Sequence, residues 1–358
     1  MLIYWLMFGF PSTMAFVEQS ASRGRGRFGY AWLFACLSLI VLIGFRWQTG
    51  GDWGNYDRMV EQALWNPLEL SPLNDPGFTL LTHFAASTSL GLLVVTAISG
   101  LVMGIALTRF CLSQPRPWLC MAVAIPYLVV VMGMGYIRQG MAISFLLMGL
   151  VSLRQGHVLR YCAWICVGAL FHSTVLVFLP LGAMVGHRIP APFRLVMVLA
   201  ALLVVAKAIL EAHAANYVTN YFDAEMTSSG AAIRLLMTAL PAAIFLAFRS
   251  RFALADTERD VWTALSLASL AALALLLVSR SSTVVDRLGL YLIPVQCFVY
   301  ARVPAVFARR ENDEKLLIAA IIVLYALSFF VWLNFADNVN YWLPYRSFFF
   351  QDNLCLRC

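Results

Sequence analysis

The sequence predicts an all-α, polytopic membrane protein, and three observations carry that prediction. Of 358 residues, 61% are apolar and only 12% are charged, against roughly 25% charged in an average soluble chain. Apolar runs approaching the ~20 residues needed to cross a bilayer recur from one end of the chain to the other. The cations, finally, are concentrated in alternate loops, as membrane insertion requires. A β-barrel would instead show short strands of alternating pattern. Nothing marks off a soluble domain, so residues 1–358 read as a single membrane domain.

The first 17 residues, MLIYWLMFGFPSTMAFV, lack the basic start and small-residue cleavage site of a secretory leader. They read as a retained first helix. Further spans are expected near 30–45, 91–110, 118–133, 138–153, 161–172, 174–187, 195–211, 232–248, 261–279, 287–302 and 316–334, about 12 in all. The piece at 78–90, FTLLTHFAASTSL, is too short to cross comfortably and is expected to be a re-entrant or interfacial helix. It belongs to an outer loop at 46–90, and a second outer loop is expected at 212–231.

Orientation follows from the arginines. Arg23, Arg25 and Arg27; Arg109 and Arg116; Arg154 and Arg160; Arg188 and Arg194; Arg249, Arg251 and Arg259; and Arg302, Arg309, Arg310 and Lys315 occupy every second loop. The positive-inside rule makes that face cytoplasmic and puts both termini outside. The net charge of +7 is therefore a topology signal, and no nucleic-acid partner is implied. Nine cations remain: Arg46, Arg58, Arg138, Lys207, Arg234, Arg280, Arg287, Arg346 and Arg357. All fall near outer ends of spans. An arginine at mid-bilayer costs about 2.5–3.5 kcal/mol on insertion scales, and less towards the ends. Snorkelling or an ion pair explains any single one, but so many on the disfavoured side call for an anion.

The polar stretches gather on that outer side. From Phe45 to Phe78 the chain carries Arg46, Asp52, Asp57, Glu61 and Asp75, with Trp47, Trp53 and Tyr56 between them. Such aromatics stack on sugar rings or anchor a loop at the interface. In MGMGYIRQGMA, Arg138 and Gln139 open a helix after a glycine-loosened junction, which is half of a helix-end phosphate site. His172 and Ser173 lie at another junction, where an interhelical hydrogen bond or a catalytic role are the alternatives. SRSSTVVDRLGLY places Arg280, Asp286, Arg287 and Tyr291 together, with Arg287 and Tyr291 expected on one helix face. The tail brings Trp342, Tyr345 and Arg346 to the same side. Asp52 with Asp57 is a weaker candidate for Mg²⁺, without the dense carboxylate cluster that would favour it. No cofactor is expected. The terminal Cys355 and Cys358 form a C-x-x-C that can close as a disulfide in an oxidising compartment.

These residues amount to a resemblance. GFRWQTGGDWGNY resembles the G-F-R-x-x-x-G-x-D-x-x-x-Y element of the EpsG family of bacterial exopolysaccharide polymerases, which are Wzy-like. The likeness continues through DPGF at Asp75–Phe78, IRQG at Ile137–Gly140, FHS at Phe171–Ser173, Arg287 with Tyr291, and WLPY at Trp342–Tyr345. It implies an inner-membrane glycosyltransferase, and a GT-C-like membrane bundle is one architecture that fits. It further implies that a glycan leaves polyprenyl pyrophosphate for the hydroxyl of the next lipid-linked unit on the periplasmic face. A flippase and a chain-length regulator of the same pathway would be its partners.

On that reading Arg46, Arg138, Gln139, Arg287 and Arg280 hold the pyrophosphate without a metal. Trp53, Tyr56, Asp75, Tyr291, Tyr345 and Arg346 hold the glycan. His172 and Asp52 are the candidate catalytic pair, with His172 favoured as base because an unperturbed imidazole titrates near pH 6.5. The alternatives are a glycan ligase, which shares the same arginine logic, and a flippase or transporter. A transporter would need charges along a path through the bilayer centre or internal repeats, and neither is evident.

Overall fold

The computed structural model describes residues 1–18, 29–70, 75–185, 230–278 and 282–350, with 190, 192–193, 195–199, 201–203 and 206. Among them the chain is helical throughout, and its sole β pairing is an isolated bridge between Arg46 and Ser347. The helices are α1 (Leu2–Val17), α2 (Tyr30–Gly44), α3 (Trp53–Gln62), α4 (Pro76–Ala86), α5 (Leu92–Leu112) and α6 (Pro117–Ala124). They continue as α7 (Ile137–Arg154), α8 (Val158–Ala169), α9 (Leu181–Val185), α10 (Ala231–Phe248) and α11 (Asp256–Val278). Last come α12 (Ser282–Leu290), α13 (Ile293–Tyr300), α14 (Val303–Phe307) and α15 (Glu311–Phe335).

Five of these segments are long and apolar enough to cross a membrane: α5, α7, α10 with its extension to Phe252, α11 and α15. Five shorter apolar segments accompany them, at Leu2–Val17, Tyr30–Gly44, Pro117–Gly133, Val158–Ala169 and Ser173–Val185. The faces they turn outward are apolar. Leu33, Phe34 and Leu37 of α2, Leu101 and Ile105 of α5, Leu267 and Leu275 of α11, and Leu316, Val323 and Leu327 of α15 are all exposed. A soluble protein would hide such a belt; lipid covers it without cost. Of the expected span at 195–211, residues 195–199, 201–203 and 206 are helical and the others lie outside the described residues.

The interior is one large apolar cluster plus a smaller one. The larger runs through Tyr4, Trp32, Met103, Trp118, Leu128, Phe245, Phe298 and Phe329. Aromatic pairs tie it together, with Trp32 stacked on Trp118 at 3.9 Å and Trp262 on Phe298 at 3.7 Å. The smaller cluster sits under α3 and α4. There Tyr56, Val60, Phe78, Leu81 and Ala85 pack on Leu92, Val95, Ile137 and Met141 of α5 and α7. It fixes the short helices of the first outer loop to two long spans.

Three expected elements differ. The 46–77 stretch contains α3, whose apolar face is what the smaller cluster buries. The expected span 287–302 is broken into α12 and α13, and Pro294 just inside α13 is where a new helix starts readily. Arg287 and Tyr291 therefore do not share a helix face: Arg287 is exposed on α12, while Tyr291 lies in the turn beyond it, 1% exposed. The expected span 174–187 is a 3-10 stretch, Ser173–Phe178, followed by the five-residue α9.

The chain segments that the arginine pattern assigns to one face do meet. Arg116, between α5 and α6, pairs with Glu314 in the first turn of α15 and donates to the backbone oxygen of Glu18 at 3.2 Å. Arg154 at the end of α7 and Arg302 before α14 share Glu258 of α11, at 3.5 and 3.4 Å. Asp52, Asp75, Arg138 and His172 gather at the other end of α7.

Candidate active site

The site begins where the backbone is least regular. After α6 the chain winds into a π-helix over Ile125–Gly133, and Tyr136 interrupts it before α7 starts. Wide π turns leave carbonyls free for other donors and are found frequently at functional sites. Here the indole Nε1 of Trp342 donates to Val130 O at 2.8 Å. The tail holding Trp342 is sewn to the Arg46 loop by Gly50 N to Tyr341 O (2.8 Å), Trp47 N to Arg346 O (2.9 Å) and Phe348 N to Phe45 O (2.8 Å). Gly50 has φ +114°, and a Cβ there would lie 2.1 Å from Met134 O. Only glycine lets the loop press this closely on the junction before α7. That contact delivers Asp52, the residue preceding α3, to the neighbourhood of Arg138 and Arg287.

A second approach brings Asp75 to His172. Asp75 has φ 49° and ψ 61°, a left-handed conformation that aspartate tolerates better than most residues, and Pro76 opens α4. Gly77 N and Phe78 N donate to Leu170 O, at 2.8 and 3.2 Å. A Cβ on Gly77 would stand 2.8 Å from the Leu170 side chain and 3.0 Å from its carbonyl. The start of α4 thus caps the end of α8 (Val158–Ala169). In return the Asp75 carboxylate accepts from the turn that follows α8: Oδ1 takes the Ser173 N–H at 3.1 Å and Oδ2 lies 3.4 Å from His172 Nδ1. Arg138 Nη1 reaches the same Oδ2 at 3.3 Å. The DPGF, IRQG and FHS stretches are therefore one constellation, with Asp75 at its centre.

Around it, Arg138 N donates to the Tyr56 hydroxyl at 3.5 Å and the Arg138 guanidinium lies 5.8 Å over the Phe78 ring. Gln139 is buried and donates through Nε2 to the Arg287 carbonyl at 2.6 Å, which joins α7 to α12. The His172 imidazole lies parallel to Tyr291, centroids 6.5 Å apart. The Tyr291 hydroxyl is buried with no hydrogen-bond partner among the described residues. The Arg287 guanidinium is exposed and makes no ion pair among them. The other His172 nitrogen, Nε2, has Thr174 Oγ1 at 3.5 Å.

The two carboxylates are tuned in opposite directions. Burial pushes the Asp52 carboxyl up, against the pull of the Arg287 and Arg138 charges and an Asn55 hydrogen bond. At Asp75 burial also pushes up but is outweighed by the His172 contact, the Ser173 N–H and Arg138, so the group is held below the usual carboxylate range. Two acids in one site with divergent proton affinities fit different roles.

Not every expected site residue joins this group. Arg46 is fully buried; its Nε donates to Thr49 O at 3.0 Å, its Nη1 to Ile43 O, and it lies 5.8 Å over the Trp53 ring. An arginine sealed in its own loop holds that loop's shape and is not open to a pyrophosphate, which corrects the expectation for Arg46. Tyr345 donates to Leu42 O at 3.0 Å, and the exposed Arg346 reaches Gln48 Oε1 at 2.8 Å. Both lie on the seam between tail and loop, with Tyr345 half-buried and Arg346 open on its surface. Trp53 packs edge-on to Trp47. Arg280 and the C-x-x-C lie outside the described residues. Arg234 and Asp286 stand out in the sequence, but not as partners: Arg234 on α10 and Asp286 on α12 form a bidentate pair at 2.9 and 2.6 Å. Tyr136 is not among the expected site residues, and its hydroxyl feels the charges of Arg234, Asp52, Asp286 and Arg287. The signal for both was present, in a lone arginine opening a span and a tyrosine beside Arg138.

No curated protein and no solved structure matches the chain. The model of the EpsG family matches residues 29–347, a stretch that contains every residue of the constellation just described. The chain belongs to the EpsG family, a family of Wzy-like polysaccharide polymerases.

Proposed function

We propose that the protein joins lipid-linked oligosaccharide repeat units on the periplasmic side of a bacterial inner membrane, with polyprenyl pyrophosphate as leaving group. The reading rests on the meeting of Asp75, His172 and Arg138 beside Asp52 and Arg287. Asp75 at Nδ1 favours the tautomer that carries its proton there, so Nε2 is free to accept one. In the transfer, the acceptor hydroxyl gives its proton to His172 Nε2 and its oxygen bonds the donor's anomeric carbon. The bond from that carbon to the diphosphate oxygen breaks, and the diphosphate leaves with the electron pair.

Pyrophosphate needs little acid help to depart. Its charge is stabilised by Arg138 and Arg287, the two guanidiniums open to the site, in place of a divalent cation. Asp52, between them and the α3 aromatics, orients the incoming sugar, with Trp53 and Tyr56 on its side of the site. Asp75 takes the part of orienting the histidine. Twelve crossings with both ends outside, set in a GT-C-like bundle, complete the reading. A flippase supplying the units and a regulator of chain length are the expected partners.

The test is purified protein with a polyprenyl-pyrophosphate oligosaccharide and EDTA. Dimers of the repeat unit are expected to form, and His172→Ala to slow them by roughly 10²–10⁴-fold, the usual worth of a general base. Undiminished rates in His172→Ala would remove the base assignment, and failure only in EDTA would return the arginines' role to a metal. In cells, a strain lacking the gene should retain single repeat units. Accumulation of long lipid-linked chains would mark a ligase instead.

A further inference from the structure

Arg138 and Arg154 stand at opposite ends of α7, about 24 Å apart by helical rise. Beside Arg154 a cavity of about 1130 Å³ opens between the ends of α5, α7, α8, α10 and α11. Arg109, Arg154, Arg160, Arg251, Arg302 and Glu258 supply its charged lining. Five guanidiniums thus face one carboxylate. Glu258 is already occupied, shared by Arg154 and Arg302. Arg302 is itself built into the wall: it is buried, donates to Gln114 Oε1 and to Phe298 O, and lies 3.6 Å over the Phe298 ring. Arg109, Arg160 and Arg251 are exposed and make no ion pair among the described residues.

Insertion places arginines at cytoplasmic helix ends, but it does not require them to converge. Charges spread around a rim would meet the topological need with less mutual repulsion. Four positive charges left over in one recess repel one another, and an anion bound among them relieves that repulsion. The wall between them is apolar, with Leu112, Trp164 and Phe252, so a ligand with a hydrocarbon part is favoured over a bare ion. Basic pockets between span ends are where doubly charged lipid headgroups settle.

We propose that this cavity binds an anion bearing two phosphate groups, on the face opposite the transfer site. Two sources carry that chemistry: the headgroup of an anionic phospholipid such as cardiolipin, and a soluble diphosphate. Arg109, Arg160 and Arg251 provide the open donors, and the Arg154–Glu258–Arg302 bridge forms the floor.

The test compares wild type with Arg109→Gln/Arg160→Gln/Arg251→Gln, whose exposed side chains can be neutralised without disturbing the packing. Cardiolipin retention is read by native mass spectrometry from cardiolipin-containing nanodiscs, and sodium pyrophosphate binding by calorimetry in detergent at physiological ionic strength. The triple variant is expected to lose retained cardiolipin, or to show one pyrophosphate site fewer, with affinity falling roughly tenfold per arginine removed. Loss in the first measurement identifies the lipid source and in the second the soluble one. Wild type that holds neither probe, or a variant that holds both as wild type does, would overturn the proposal.

Discussion

At the scale of single residues, the two carboxylates of the site should respond to substitution in opposite ways. Burial raises the Asp52 carboxyl, so its folded affinity for a proton exceeds its unfolded one. Its stabilising contribution is present below the ordinary value, about 3.9, and is lost as pH rises through the folded value. Ionised Asp52 therefore costs stability at neutral pH. Asp52→Asn should melt higher than wild type at pH 7, with the gap closing in acid, while polymer synthesis is lost. Asp75 is the reverse case. Its affinity for a proton is depressed, so its contribution is full above about 3.9 and fades as pH falls through the lower folded value. Asp75→Ala strands His172, the Ser173 N–H and Arg138 together. Removing one partner of a buried pair costs about 3–5 kcal/mol; with the Arg138 side chain 41% exposed, about 2–3 kcal/mol is expected. Asp75→Asn, which keeps an oxygen for Ser173, should lose less. Urea denaturation in detergent at pH 7 and pH 4 measures both.

At the scale of elements, what holds the site together is the mutual capping of α4 and the turn after α8. Gly77→Ala puts a methyl against Leu170 at 2.8 Å, and both neighbours are fixed, one by its backbone hydrogen bond. Overpacking of this kind costs about 1–3 kcal/mol. Moving α4 back also withdraws Asp75 from His172, so activity should fall further than stability does. An equal loss of both, measured by melting and by repeat-unit dimerisation, would mean that the approach matters only for packing. The sequence made the helices legible, because apolar runs and breaker residues are local: α1, α2, α5 and α7 lie within a few residues of their expected bounds. It also disclosed the motifs. It did not show that DPGF, IRQG and FHS share one carboxylate, since Asp75 meets its partners 63, 97 and 98 positions along the chain. Nor did it show Arg46 buried, because a conspicuous arginine beside tryptophans reads the same whether it holds a ligand or its own loop. The break at Tyr291 was missed because Leu288, Leu290, Leu292 and Ile293 carry an apolar run straight across it, with no polar residue to mark the turn.

At the scale of the whole molecule, α7 joins two ends of contrasting electrostatics. One has carboxylates engaged with arginines, a histidine and backbone donors; the other has arginines in excess around a single glutamate. The positive-inside rule predicts a cytoplasmic position for the second, and the proposed transfer requires the first to face outward. These are independent demands on one orientation, and a single labelling experiment tests both. Cysteines replacing Arg58 and Arg346, both exposed beside the first site, should react with a membrane-impermeant maleimide in intact spheroplasts. Cysteines replacing Arg160 and Arg251 should react only after permeabilisation. The native cysteines Cys36, Cys111, Cys120 and Cys297 are buried, but on α8 Cys162 is half-buried and Cys166 exposed, and Cys355 and Cys358 stand near the end of the chain, so the background must carry Cys162→Ser, Cys166→Ser, Cys355→Ser and Cys358→Ser. Labelling of Arg58→Cys from the cytoplasmic side alone would invert the molecule. The basic cavity would then face the compartment of the lipid-linked units, and the Asp75 site could no longer be the place of transfer.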